Sequence, residues 1–178
     1  MNDTPPPEFS RIIRFDQIGR MGDTHIEAHE AERKALERRF RLVSLDRLEA
    51  LFALAQDGAA LIAKGRLLAT LEQPCVATGD PVAEIIDAPF TIRFERENDA
   101  PGEDETELDE TDCDTVFYTG DSIDMGEAVA ETLALLMEPY PRAPDADAYL
   151  RKMGVATEEQ AGPFAALLAL KRDSKPDK

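Results

Sequence analysis

Tryptophan is absent from this chain of 178 residues, and cysteine and histidine occur twice each. Two cysteines, Cys75 and Cys113, are too few for a disulfide scaffold. A chain of this length builds an ordinary core without one. The histidines, His25 and His29, lie four positions apart. On a helix that spacing would put both rings on one face, with Glu27, Glu30 or Glu32 completing a zinc site. No third ligand has motif spacing, so a surface pair is the simpler reading. GxSxG, HExxH, GxGxxG and Walker patterns are all missing, and no cofactor is expected. No apolar run approaches the ~20 residues that span a bilayer. The opening MNDTPPPEF has neither the basic nor the apolar region of a secretory leader, so a cytoplasmic protein is expected. Bases are scarce as well, 20 against 37 acids, for a formal charge of −17. Such a chain does not coat nucleic acid non-specifically, DNA included, nor sit on an anionic membrane. Its hydrophobic content of 43 % is that of a folded protein.

The charge is concentrated. Residues 95–114 read ERENDAPGEDETELDETDCD, eleven acids and the single base Arg96. A run like this buries no apolar surface and repels itself, so a flexible loop is expected between two strands. It could receive basic protein segments or keep wrong partners away. Residues 1–8 read as a flexible lead-in and 173–178 as a tail, leaving one α+β domain over 9–172.

Within it, Phe9–Ile18 mixes β-branched and aromatic residues and suits a strand, with a short strand around His25–Ala28. Glu30–Phe40 favours helix. Its Glu30/Lys34 and Glu37/Arg41 pairs stand in the favourable acid-before-base order. A second helix is expected after Ser44, with Leu45, Leu48, Leu51, Phe52 and Ala55 on one face and Asp57-Gly58 at its end. The period then changes to two. Leu61–Glu72 and Glu84–Glu95 read as half-buried strands joined through Thr78-Gly79-Asp80-Pro81, with Pro74 and Pro89 at edge or bulge positions. Thr115–Tyr118 reads as another strand. Asp124 caps a further helix, with Glu127 as a capping-box partner and Ile123 and Ala128 as a staple. Met125, Val129, Leu133 and Leu136 form its stripe, and Pro139 stops it. Tyr140–Pro144 is extended. The fold class is α+β: an antiparallel sheet, a helical pair near the N-terminus, a helix after the sheet and a short C-terminal helix.

Three places could carry function. Lys34, Arg38 and Arg41 fall at i, i+4 and i+7. They make one helix face basic, either for RNA phosphates or an acidic partner, or as a salt-bridged solvated face. Cys75 has no histidine after it and no identifiable base or helix terminus to activate it, so it reads as a buried, inert thiol. Thiol or metal catalysis through Cys75 or His25/His29 is the enzyme alternative. Lastly, Pro163-Phe164-Ala-Ala-Leu167-Leu-Ala-Leu170-Lys171 makes about two helical turns, too short to stand alone. Its apolar residues need a groove in this protein or in a partner.

Three marks in order are Gln73-x-Cys75-Val76-x-Thr78 with Pro81-Val82, Asp124 through Glu131 and Leu133 to Pro139-Tyr140-Pro141-Arg142, and Pro163-Phe164-Ala165-x-Leu167-x-x-Leu170-Lys171. Together, over roughly residues 9–172, they resemble the bacterial YceD family, the large ribosomal RNA subunit accumulation proteins (domain of unknown function 177). The resemblance implies a non-enzymatic factor supporting accumulation of large-subunit ribosomal RNA. Its partner would be that RNA or a basic ribosomal protein. Contacts are expected from Tyr140, Arg142, Pro163, Phe164, Leu167, Leu170 and Lys171, and from the helical bases Lys34, Arg38 and Arg41. Many members carry Cys-x-x-Cys where this chain has Cys75 and Thr78, so a thiol-pair role does not transfer. An acidic module that chaperones a basic partner without touching RNA is the other alternative.

Overall fold

The structure is a computed structural model that describes residues 7–97 and 114–155. The chain divides into two compact units. The first comprises Met1–Gln73 and Ala83–Pro139, the second Pro74–Val82 and Tyr140–Lys178.

In the first unit the described elements run β1 (Ile12–Arg14), α1 (Phe15–Ile18), β2 (Thr24–Glu27), α2 (Glu30–Phe40), β3 (Ser44–Asp57), β4 (Ala60–Pro74), β5 (Pro81–Arg96), β6 (Asp114–Tyr118), β7 (Ser122–Asp124) and α3 (Met125–Leu136), with the ends of β4 and β5 reaching into the second unit. Five strands form a sheet in the order β2-β3-β4-β5-β6, and β1 pairs with β7 as a separate two-stranded ribbon. The mixed α+β class is therefore as expected, but three details differ.

First, the stretch after Ser44 is not a helix but a strand of fourteen residues, paired with β2 on one side and β4 on the other. The cause is a register shift between Leu45 and Arg47. A bulge adds one residue to one strand, so the side chains on either side of it lose their two-residue rhythm. Leu45 and Leu48, three apart, both reach the core, and the rhythm resumes at Ala50 and Phe52. The spacing 45, 48, 52 imitates a helix. Leu51 breaks the imitation, because it is 49 % exposed on the other face. Only one of the two expected N-terminal helices exists among the described residues, together with the single turn α1.

Second, the strand expected over Phe9–Ile18 is reduced to Ile12–Arg14. Among the described residues its only partner is the three-residue β7. Beyond it Phe15 donates its N–H to the Asp121 carbonyl at 3.1 Å, and its ring packs edge-on against Tyr118 with centroids 4.9 Å apart. Those contacts turn the chain where propensity alone would extend it.

Third, the sheet is not wholly antiparallel. β6 runs parallel to β5, with Ile92 opposite Asp114 and Arg96 opposite Tyr118. Pro89 lies in the part of β5 that β6 does not reach, so its missing N–H interrupts no ladder on that side.

The core gathers one face of this sheet under the helices: Leu48 and Phe52 from β3, Leu67 and Leu71 from β4, Ile92 and Phe94 from β5, Leu36 from α2, and Met125, Val129 and Leu133 from α3. The opposite face carries Leu51, Lys64, Arg66 and Asp87, all exposed. Asp124 caps α3 as expected, accepting the N–H groups of Gly126 and Glu127. Glu127 does not complete a capping box; Arg39 takes its carboxylate at 2.7 Å.

In the second unit the described residues comprise the turn after β4 and residues 140–155, which include a short helix, α4 (Ala146–Lys152). The sequence reading missed α4. The signal was present, since Asp147 lies in its first turn and Arg151 and Lys152 in its last, the arrangement a helix dipole favours.

Candidate functional site

The turn Pro74–Val82 closes on itself. Cys75 donates its N–H to the Asp80 carbonyl at 2.7 Å, and Gly79 donates to the Cys75 carbonyl at 2.9 Å. Asp80 donates to the Thr78 hydroxyl at 3.2 Å. Gly79 takes φ +80°, a left-handed conformation that glycine adopts without strain.

The same turn holds the chain after Pro139. Val76 donates its N–H to the Pro141 carbonyl at 2.9 Å. Ala143 donates its N–H to the Cys75 sulfur at 3.3 Å, and Ala77 donates to it at 3.4 Å. Cys75, Ala143 and Ala146 form a small apolar cluster with Ala77 and Val82 around them. Thus Pro141 and Ala143 are buried and tied down, while Tyr140, Arg142 and Pro144 between and beside them face outward. The alternation is that of an extended segment, as expected, and it sets Tyr140 and Arg142 on one side. Tyr140 is 73 % exposed. Arg142 pairs with Asp147 at 2.9 Å, both side chains largely in solvent.

Cys75 is a free thiol, 3 % exposed, as its apolar flanks imply. Its surroundings are not inert. The Ala143 N–H first, then the Thr78 hydroxyl and the turn's own N–H groups, favour the thiolate and outweigh the cost of burying it, so the pKa falls to about 7. Backbone donors do what the sequence reading sought from a base or a helix terminus. Thr78 spends its side chain on this thiol. Cys113 lies outside the described residues.

The basic face of α2 is reshaped by its neighbours. Lys34 is held by Glu37 at 2.9 Å, not by Glu30. Glu37 in turn accepts the Leu45 N–H at 2.9 Å, which ties the end of α2 to the start of β3. Lys34 accordingly holds the Glu37 carboxyl below its ordinary pKa. Arg41 caps the helix at φ 58°, so it leaves the i, i+4, i+7 series. Arg38 and Arg41 are exposed and make no ion pair among the described residues. Arg39 bridges Glu8 and Glu127, and Arg11 grips Glu32 through two hydrogen bonds of 2.6 and 2.9 Å. These pairs join residues far apart in sequence and no local spacing announces them. Lys34, Arg38 and Arg41 belong to the first unit, and Tyr140 and Arg142 to the second. Pro163, Phe164, Leu167, Leu170 and Lys171 lie outside the described residues.

His25 sits in β2 against Glu49 at 3.4 Å, and His29 is the N-cap of α2, so the four-residue spacing runs from strand to cap and the helix-face geometry does not arise. Among the described residues no three His, Cys, Asp or Glu side chains are grouped to hold a metal. No helix among them is long and apolar enough to cross a membrane.

The sequence model of the family described as "Large ribosomal RNA subunit accumulation protein YceD" matches residues 63–171. The chain belongs to the YceD family. The match begins inside β4 and takes in the Cys75 turn, α3, Tyr140, Arg142 and the segment 163–171, but not α2. The YceD name speaks of large-subunit ribosomal RNA accumulation, not of catalysis. No curated protein and no solved structure matches the chain.

Proposed function

We propose that the protein is a non-enzymatic ribosome-biogenesis factor that supports accumulation of large-subunit (23S) ribosomal RNA in the cytoplasm, through contacts with that RNA or with a basic ribosomal protein. The observation that carries this reading is the Cys75 turn. Two marks of the resemblance, far apart in sequence, meet there through the Val76 N–H on the Pro141 carbonyl and the Ala143 N–H on the Cys75 sulfur, and their joint product is an outward-facing Tyr140 and Arg142. Catalysis would need reacting groups turned toward a cavity; here the buried group is a thiol and the presented groups are an aromatic ring and a guanidinium, residue types that dominate recognition surfaces. Phe164, Leu167 and Leu170 would add apolar anchors, and Lys171, Pro163, Lys34, Arg38 and Arg41 complete the contact set.

Double alanine substitution at Phe164 and Leu167 tests it. The variant is expected to leave pre-ribosomal particles on a sucrose gradient while keeping the wild-type melting temperature. A variant that unfolds would make the segment core and end its role as a contact. A second reading has its own observation, the charge of −17: a basic ribosomal protein is the direct partner. Ribonuclease treatment separates the two, because only a protein contact survives it.

A further inference from the structure

The acidity of the chain is confined to one of its two units. Pro74–Val82 and Tyr140–Lys178 hold seven bases and seven acids, so the whole excess of −17 belongs to the first unit. An RNA strand is repelled by the first unit and meets no net charge on the second, whereas a basic protein is drawn to the first. The second unit is also the one that presents Tyr140 and Arg142.

We infer that Tyr140 and Arg142 form a two-point contact for an unpaired nucleotide, the tyrosine ring stacking on the base and the guanidinium taking the adjoining phosphate. This rests on the reading of the protein as a factor for ribosomal RNA. Three features carry it. The residues at 141 and 143 are fixed, by the Val76 N–H on the Pro141 carbonyl and the Ala143 N–H on the Cys75 sulfur. Residues 140 and 142 are therefore presented from a held backbone on one side, about 7 Å apart at the rise of an extended chain. An aromatic face held in solvent stacks on any base that is not already stacked, which an RNA duplex does not offer and a single strand or loop does. Among the described residues Arg142 is engaged only by the solvent-exposed Asp147, a partner that a phosphate can displace because surface ion pairs are weak. With so few phosphate contacts the binding depends little on salt, which suits a chain whose net charge opposes RNA.

Fluorescence anisotropy with the full chain tests this, using a short unstructured oligoribonucleotide and a blunt RNA duplex of the same strand length. The single strand is expected to bind the more tightly. Tyr140→Phe keeps that binding, and Tyr140→Leu weakens it about tenfold. Arg142→Gln lowers the slope of log affinity against log salt by about 0.7, the value for one phosphate on a single strand. A Tyr140→Leu protein that binds like the wild type, or a preference for the duplex, overturns the contact. So does a chain that binds a lysine-rich peptide and neither RNA. Cross-linking of the wild type in extract keeps the wider reading apart: if large-subunit RNA is still captured when the stacking contact fails, only the contact falls.

Discussion

Single residues set two close joints of the molecule. At the Cys75 turn the thiolate is favoured by N–H groups and the Thr78 hydroxyl, so ultraviolet titration in a Cys113→Ser background should place the thiol midpoint near 7. Thr78→Val removes one donor and should move the midpoint up. The sign for stability follows from the lowered value. The thiolate contributes fully above the pKa of the unfolded thiol, and the contribution is lost as pH falls through about 7. Denaturant midpoints taken across that window should rise with pH more in the wild type than in Cys75→Ala. The second joint is Gly126 in the first turn of α3. A Cβ there would lie 2.6 Å from the Phe9 carbonyl oxygen and 2.8 Å from the Arg11 nitrogen, both backbone atoms that cannot swing aside. The same stretch is held by Asp124, which accepts the Arg11 N–H at 2.7 Å and the Ser10 hydroxyl at 2.6 Å. Gly126→Ala should therefore cost about 1–3 kcal/mol, read by chemical denaturation, although alanine is the better helix former. The burial of Cys75 and the cap at Asp124 were legible in the sequence because neighbours in the chain decide them. The donors around the sulfur were not, because Ala143 arrives from 68 residues away.

At the scale of elements, legibility follows whether the pattern is local and unbroken. The bounds of α2, Glu30–Phe40, can be read from charge order and apolar spacing, and β4 and β5 from their alternation. β3 is misread because its bulge falls between two core leucines, and no propensity marks a bulge. A pair of substitutions checks the strand against the helix. Leu48 is fully buried and Leu51 is 49 % exposed, whereas a helix would bury both. Leu48→Ala should cost about 2–5 kcal/mol, and Leu51→Ala no more than about 0.5 kcal/mol. Equal losses would restore the helix. The parallel placement of β6 was also beyond the sequence, because strand direction is set by the connection and the register, and neither has a residue signature here.

For the whole molecule, that parallel pair gives the acid run a geometric task. Residues 97–113 connect β5 to β6, and parallel neighbours cannot be joined by a tight turn. The chain must return past the five residues of β6, about 17 Å, before it pairs. Length is thus required, but the geometry does not require charge. Eight acids fall within 98–113, so replacing each with its amide leaves a chain of −9 and the same connection. Its thermal stability should match the wild type, because an acid and its amide have nearly the same size and shape. Its behaviour toward RNA should not. Repulsion of a polyanion by exposed acids acts over roughly a Debye length, about 10 Å at moderate salt and about 3 Å at 1 M. The amide variant should therefore bind both single-stranded and duplex RNA more tightly than the wild type at low salt, and the difference should vanish at high salt. The gain should be larger for the duplex, which carries more phosphate and has no stacking contact of its own to make. Anisotropy titrations over a salt series read this directly. An unchanged low-salt affinity would mean that the acids do not screen RNA at all, and that the run serves the connection or a basic partner. A gain confined to the duplex would make the acidic connection the element that keeps this chain off duplex RNA, with recognition left to the neutral unit.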